Sequence, residues 1–200
     1  MDAKSRILKA GARIVNQKGF NGTGLAELLE AAKVPKGSFY FYFKNKEDFG
    51  LHLIDYFTDY LRGNADVFYQ DESLPHIEKI RSVFKWQAES FRKGNFKGGC
   101  PIGNMSQEMG DRNQKFRKKL DKALATMKRD LAAHLKRAQE LGEISESIDV
   151  HETADFIINS WEGALMQMKV AKNTVAHEVF DRMIFERLLK PELFDKKTAK

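Results

Sequence analysis

Residues 23–47 read TGLAELLEAAKVPKGSFYFYFKNKE, two short apolar segments on either side of a break. Leu25, Leu28, Leu29 and Ala32 fall at i, i+3, i+4 and i+7, so they share one face of a helix. Thr23 or Gly24 caps its start, and Pro35-Lys36-Gly37 turns the chain before a second helix from Lys36 to Phe43. Two short helices joined by such a turn read as a helix-turn-helix, whose second helix enters a DNA groove. Lys36, Gly37 and Ser38 stand at the start of that helix, where backbone N–H groups and the helix dipole favour an anion. Tyr40 and Tyr42 then alternate with three phenylalanines. Phe39 and Phe43 are expected to pack inward, and Phe41 can face either way.

Beyond this stretch, 42% hydrophobic and 31% charged residues in a chain of 200 support a substantial core and argue against disorder. The net charge is +6. Residues 1–50 hold nine bases (Lys4, Arg6, Lys9, Arg13, Lys18, Lys33, Lys36, Lys44, Lys46) against five acids (Asp2, Glu27, Glu30, Glu47, Asp48). That concentration predicts a phosphate-binding N-terminal unit. The single cysteine excludes an internal disulfide and fits a reducing compartment. With no signal-peptide pattern and no eighteen-residue apolar run, a cytoplasmic protein is expected.

Every strong periodicity is helical. A first helix carries Ile7, Leu8, Gly11, Ile14 and Val15 and stops at Gly19. A longer one from about Glu47 to Tyr69 turns Phe49, Leu53, Tyr56, Phe57, Tyr60 and Leu61 inward. Further helices carry Ile77, Ile80, Phe84 and Phe91, then Pro101 to Met109, then Phe116 to Ala138. Asp149 with Glu152 begins the next in capping-box fashion. A last helix runs from Thr174 to Pro191. The last two have wide apolar faces, including Trp161, Phe180 and Phe185, which either fill the monomer core or in part meet a second chain. The expected fold is all-α: a three-helix DNA-binding head (residues 1–46), a helical ligand-binding and dimerising body (47–194) and a polar tail (195–200).

The order Gly19-Phe20, Thr23, Lys36-Gly37-Ser38-Phe39-Tyr40-Phe41-Tyr42-Phe43 and Lys46-Glu47 resembles the TetR/AcrR family of bacterial one-component repressors. The resemblance covers roughly the first fifty residues. It implies a double-stranded DNA operator, a small-molecule effector and a homodimer through the last two helices. Two-fold dimers are also what a single short recognition helix requires, because it reads too few bases alone. Thr23, Tyr42 and Lys46 are the candidates for phosphate contact. Lys36, Gly37, Ser38 and Tyr40 are the candidates for the major groove, where glycine permits close approach and lysine or serine reaches base edges. Lys44 reads as a solvated surface lysine. The sequence departs from the family pattern twice: Lys33 stands where glycine is usual, and Pro35 replaces a serine cap. A lysine held left-handed there would cost on the order of 1 kcal/mol.

A second motif is Lys97-Gly98-Gly99-Cys100-Pro101-Ile102-Gly103-Asn104-Met105. No Gly-Lys-Ser/Thr follows, so it is not a phosphate loop. Cys100 precedes Pro101 at a helix start, where the dipole and Lys97 favour a thiolate; the competing reading is a small buried apolar residue. The Gly-Cys-x-x-Gly-Asn segment resembles a TetR/AcrR subgroup responding to electrophiles, quinones or acrylate. That resemblance implies a sensing role for Cys100, with Asn104 and Met105 beside it. A non-covalent effector would instead sit among Trp86, Phe91, Met105, Met127, His134, Trp161 and Met166, each of which also reads as core.

Catalytic and metal patterns are missing. The five histidines have no metal-ligand spacing, one cysteine cannot build a zinc site, and no nucleophile elbow or dinucleotide fingerprint occurs. Neither a cofactor nor a metal is expected. The expected function is a ligand- or redox-responsive transcriptional regulator released from its operator by an effector. Its rival is a small-molecule-binding or membrane-surface protein without sequence-specific DNA binding, suggested by the basic charge and amphipathic helices.

Overall fold

The computed structural model describes residues 2–190, and every regular element among them is helical. The order is α1 (Ala3–Lys18), α2 (Leu25–Ala32), α3 (Lys36–Tyr42), α4 (Lys46–Tyr69), α5 (His76–Lys93), α6 (Pro101–Met109), α7 (Gln114–Glu140), α8 (Val150–Ala171) and α9 (Val175–Met183). A π-helical turn, Ile184–Leu188, continues α9. The expected end at Pro191 and the tail lie outside the described residues.

Local chemistry accounts for most boundaries. The Asp2 carboxylate accepts the Ser5 N–H at 2.7 Å to cap α1, and Gly19 closes it at φ 81°. Asp149 accepts from His151 and Glu152 N–H groups and caps α8. Of the two candidates for the cap of α2, the structure takes Gly24; Thr23 is spent elsewhere. Thr174 stands at the N-cap of α9, but its hydroxyl bonds the Glu178 carboxylate at 2.8 Å rather than a backbone amide.

The chain divides into two compact units, Met1–Leu61 with Gly98–Leu124, and Arg62–Lys97 with Ala125–Lys200. This differs from a boundary at residue 46. α6, the first sixteen residues of α4 and the start of α7 belong with the helix-turn-helix. The reason is tertiary: the Phe116 ring of α7 lies 5.0 Å from that of Phe20, and α6 packs on α1. Gly50 of α4 lets the Phe20 and Phe116 rings come close, since an added Cβ would collide with both. Around α3, Phe39, Phe43 and Phe49 form a fully buried triad with centroids 5.2–5.8 Å apart. Within α4 the buried set is Phe49, Gly50, Leu53, Ile54 and Phe57. Tyr60, expected inward, is 53% exposed, and Tyr56 and Leu61 are half-buried.

In the second unit, Phe84, Trp161, Phe180 and Phe185 are buried together, with Trp161 5.3 Å from Phe84 and 5.1 Å from Phe180. Trp161, Phe180 and Phe185 therefore fill this unit's own core. Other apolar side chains of the same helices stay outside: Phe156, Met166, Val170, Val175, Val179 and Met183 are all exposed.

Candidate nucleic-acid interface and sensing segment

Phe39 and Phe43 are 0% exposed and fix which way α3 faces. At 100° per residue this leaves Gly37 and Phe41 on the opposite side, flanked by Ser38 and Tyr40. Lys36, Gly37, Tyr40 and Phe41 are exposed, and Ser38 and Tyr42 are half-exposed. α3 begins at Pro35 without a side-chain cap. The turn before it keeps the left-handed conformation at Lys33, with φ 54° and ψ 49°, so the lysine carries the strain that glycine would avoid. Lys33 and Lys44 are both exposed beside this face.

Of the seven residues expected to touch DNA, Thr23 is buried, and Lys46 is half-buried with its ammonium held by groups of the protein. Thr23 is 1% exposed, and its hydroxyl donates to the Gly19 carbonyl at 2.7 Å, so the side chain holds the turn between α1 and α2 instead of reaching a phosphate. The Lys46 ammonium lies 5.0 Å over the Phe20 ring and donates to the Asn21 carbonyl at 3.3 Å. Partial burial holds its pKa below the usual lysine value, with the nearby Glu108 opposing that shift. Its place in the sequence pattern gave no sign of this, because the groups it meets lie in α1–α2 and α6.

The second motif builds the start of α6. Cys100 is the N-cap, 8% exposed, and its Sγ accepts the Gly103 N–H at 3.4 Å, with Pro101 in the first turn. Asn104, expected beside an effector, instead joins segments: its Nδ2 donates to the Gly98 carbonyl at 3.0 Å and to Asn16 Oδ1 of α1 at 3.3 Å. Met105 is 1% exposed in the core. At the other end, both Glu108 oxygens accept backbone N–H groups, from Phe20 at 2.7 Å and Asn21 at 2.6 Å. Just beyond, Asn113 and Lys115 each bond the Glu47 carboxylate at 2.7 Å, lowering its pKa through those contacts. α6 and the start of α7 are therefore tied to α1, to the α1–α2 turn and to the first turn of α4. Glu108 carries no local sequence signal for this role.

The remaining effector candidates belong to the other unit. Trp86 is half-buried with its ring 6.0 Å from Phe68; Phe91 is buried edge-on to Phe96 at 5.7 Å; Met127 is half-buried. Trp161 is core and donates its Nε1–H to Gln87 Oε1 at 2.7 Å. Met166 is 67% exposed. His134 stacks on Tyr69 at 3.4 Å between centroids and shares a 3.1 Å hydrogen bond with His76, a pairing that the wide spacing of the three residues did not suggest. An apolar groove of about 550 Å3 does lie in this unit, between α8 and α9. Phe156, Gly163, Gln167, Val175, Val179 and Met183 line it, and none of the expected effector residues does.

Among the described residues, no three His, Cys, Asp or Glu side chains gather to hold a metal ion, and no helix is long and apolar enough to cross a membrane.

Residues 7–52 match the family described as bacterial regulatory proteins, tetR family, and residues 77–184 match tetracyclin repressor-like, C-terminal domain. The chain is 37% identical over 168 residues to the transcriptional regulator AcuR of Cereibacter sphaeroides, covering 84% of this chain and 77% of that protein. It is 28% identical over 187 residues to the HTH-type transcriptional repressor NemR of Escherichia coli, covering 88% of this chain and 92% of that protein. The crystal structure of reduced NemR superposes with a TM-score of 0.84 over 93% of this chain and 96% of that one, at 26% identity. A regulatory protein TetR from Rhodobacter sphaeroides superposes with a TM-score of 0.84 over 90% and 96% of the two chains, at 35% identity.

Proposed function

Since the chain belongs to the TetR family of bacterial regulatory proteins and is a DNA-binding transcriptional regulator, we propose that it is a cytoplasmic homodimeric repressor whose two α3 helices read a near-palindromic operator. Lys36, Gly37, Ser38 and Tyr40 face the bases, and Tyr42 with the exposed Lys44 contacts phosphate. Thr23 and Lys46 act indirectly, by holding the turn and the first residues of α4. Residues 1–46 read DNA, and the domain of residues 47–194 dimerises through α8 and α9 and receives the effector. An effector that prefers one head spacing by 1–3 kcal/mol changes operator occupancy about 5- to 150-fold.

The face of α3 carries this reading: Phe39 and Phe43 are fully buried while Lys36, Gly37 and Tyr40 stand exposed on a basic unit. Fluorescence anisotropy of labelled DNA from upstream of the protein's own gene, against scrambled DNA over a salt series, tests it. Tight, sequence-selective binding is expected to weaken by about 0.9 log units per phosphate contact for each tenfold rise in salt. No binding to any duplex at low salt would return the rival readings.

Cys100 is the proposed trigger when the effector is an electrophile or an oxidant. Its sulfur accepts a backbone N–H at the N-cap of α6, the setting in which a thiolate is stabilised. α6 is in turn bonded to the head through Asn104 and Glu108. A bulky adduct at this N-cap disturbs the helix that braces the α1–α2 turn. Cys100→Ser is expected to keep operator binding and lose release by N-ethylmaleimide; undiminished release would assign the response to another site.

A further inference from the structure

We propose that Phe41 is a base-reading residue of α3, packing its ring on a thymine methyl group in the operator's major groove; this rests on the DNA-binding reading above. Phe41 is 81% exposed at the middle of the outward face, four residues after Gly37, and its ring meets only the edge of the neighbouring Tyr42 at 4.9 Å among the described ring contacts. Helix propensity does not call for phenylalanine at an open surface, and the ring adds nothing to the buried triad beneath it. Its chemistry does match one feature of the surface that α3 is built to meet. On the base edges of the major groove, the 5-methyl of thymine is the apolar group; the other recognition features are donors and acceptors.

The surrounding residues fit that division of labour. Lys36, Ser38 and Tyr40 offer polar groups to the base edges, and Phe41 supplies the apolar complement. Gly37, one turn earlier on the same face, has nothing within 4 Å of where a Cβ would stand, so the helix can approach the base pairs closely enough for the ring to seat. Exposed Lys33 and Lys44 lie to either side along the chain and match the phosphate flanks.

The test begins with a random-sequence duplex pool selected on the full-length protein. In the selected half-site each thymine is then replaced singly by uracil, which removes only the methyl group, and affinity is read by anisotropy. We expect one thymine per half-site whose conversion weakens the wild-type protein roughly three- to tenfold, the scale of one buried methyl. Phe41→Ala, at an exposed position that leaves the core intact, is expected to bind the thymine and uracil duplexes equally and to lose preference at that base pair in its own selection. Phe41→Leu, still apolar, keeps part of the discrimination. The assignment is overturned if no uracil replacement weakens the wild type, or if Phe41→Ala retains the full penalty. A pool that yields no enriched sequence refutes the DNA-binding reading itself, and the assignment falls with it.

Discussion

Gly37 sits in a helix, with a backbone that is not left-handed and open space around its missing Cβ. The fold thus has no steric need for glycine, and helix propensity opposes it by about 0.5–1 kcal/mol relative to alanine. Gly37→Ala is expected to stabilise the protein by up to about that amount in urea unfolding while weakening operator binding measured on the same sample. Opposite signs would locate the reason for glycine outside the protein, at the DNA; unchanged affinity would remove Gly37 from the interface. The inward turn of Phe39 and Phe43 was legible, because i and i+4 on a short helix must share a face. The burial of Thr23 and the intramolecular contacts of Lys46 were not. Thr23 follows a Gly19 carbonyl that only the folded turn brings near, and Lys46 lies over Phe20 and close to Asn21, more than twenty residues away in sequence.

At the scale of elements, α6 has only nine residues, too few to persist alone in water, so its position depends on what it is tied to. Glu108 supplies its link to the α1–α2 turn through two backbone N–H groups. Glu108→Ala leaves both donors without that partner and is expected to cost about 1–3 kcal/mol of stability in urea unfolding. Because the same turn leads into α2, it should also lower operator affinity; a stability loss with unchanged affinity would show that the brace is structural alone. A second junction joins the end of α4, the start of α5 and the middle of α7. There Tyr69, His76 and His134 stack, with Lys79, Arg137, Glu143, Asp66 and Asp130 as the surrounding charges. Burial holds both histidines below their ordinary pKa of 6.5, helped by Lys79 and Arg137 at His76 and by the His76 imidazole and Lys79 at His134, against the opposing acids. The unfolded chain then binds protons at higher pH than the folded one. The histidine contribution is complete above about pH 6.5 and is lost as pH falls through that value. The thermal midpoint is expected to fall between about pH 7.5 and 5.5, and His134→Gln to flatten that dependence; an unchanged slope would assign the loss to other groups. Among the described residues, most helix starts were legible from period and caps. The two-unit division was not, because it depends on Phe20–Phe116 packing and on carboxylate-to-backbone bonds across more than eighty residues, which leave no local periodicity.

On the proposed two-fold reading, the whole molecule presents two recognition helices to successive major grooves, because a helix of seven residues such as α3 spans only a half-site. The α8–α9 surface is where a second copy would complete it. Its own core is already filled by Trp161, Phe180 and Phe185, yet Phe156, Val175, Val179 and Met183 remain exposed around the 550 Å3 groove. Aromatic content alone left core and interface unresolved for these helices; burial separates the core aromatics from the apolar residues that stay exposed. Val179 is 44% exposed and lines the groove, so Val179→Asp adds a charge that a solvated monomer tolerates. In a two-fold contact the same carboxylate would be buried opposite an apolar face, without a partner to compensate its desolvation. We therefore expect Val179→Asp to sediment as a monomer with wild-type helicity. Its operator binding should fall to the weak, sequence-independent level, a Kd on the order of 10⁻⁴–10⁻⁶ M at physiological salt. The variant leaves α3 untouched, so loss of selectivity without loss of fold would assign specificity to the pairing of heads. A dimeric Val179→Asp protein with intact operator binding would place the two-fold contact on another surface.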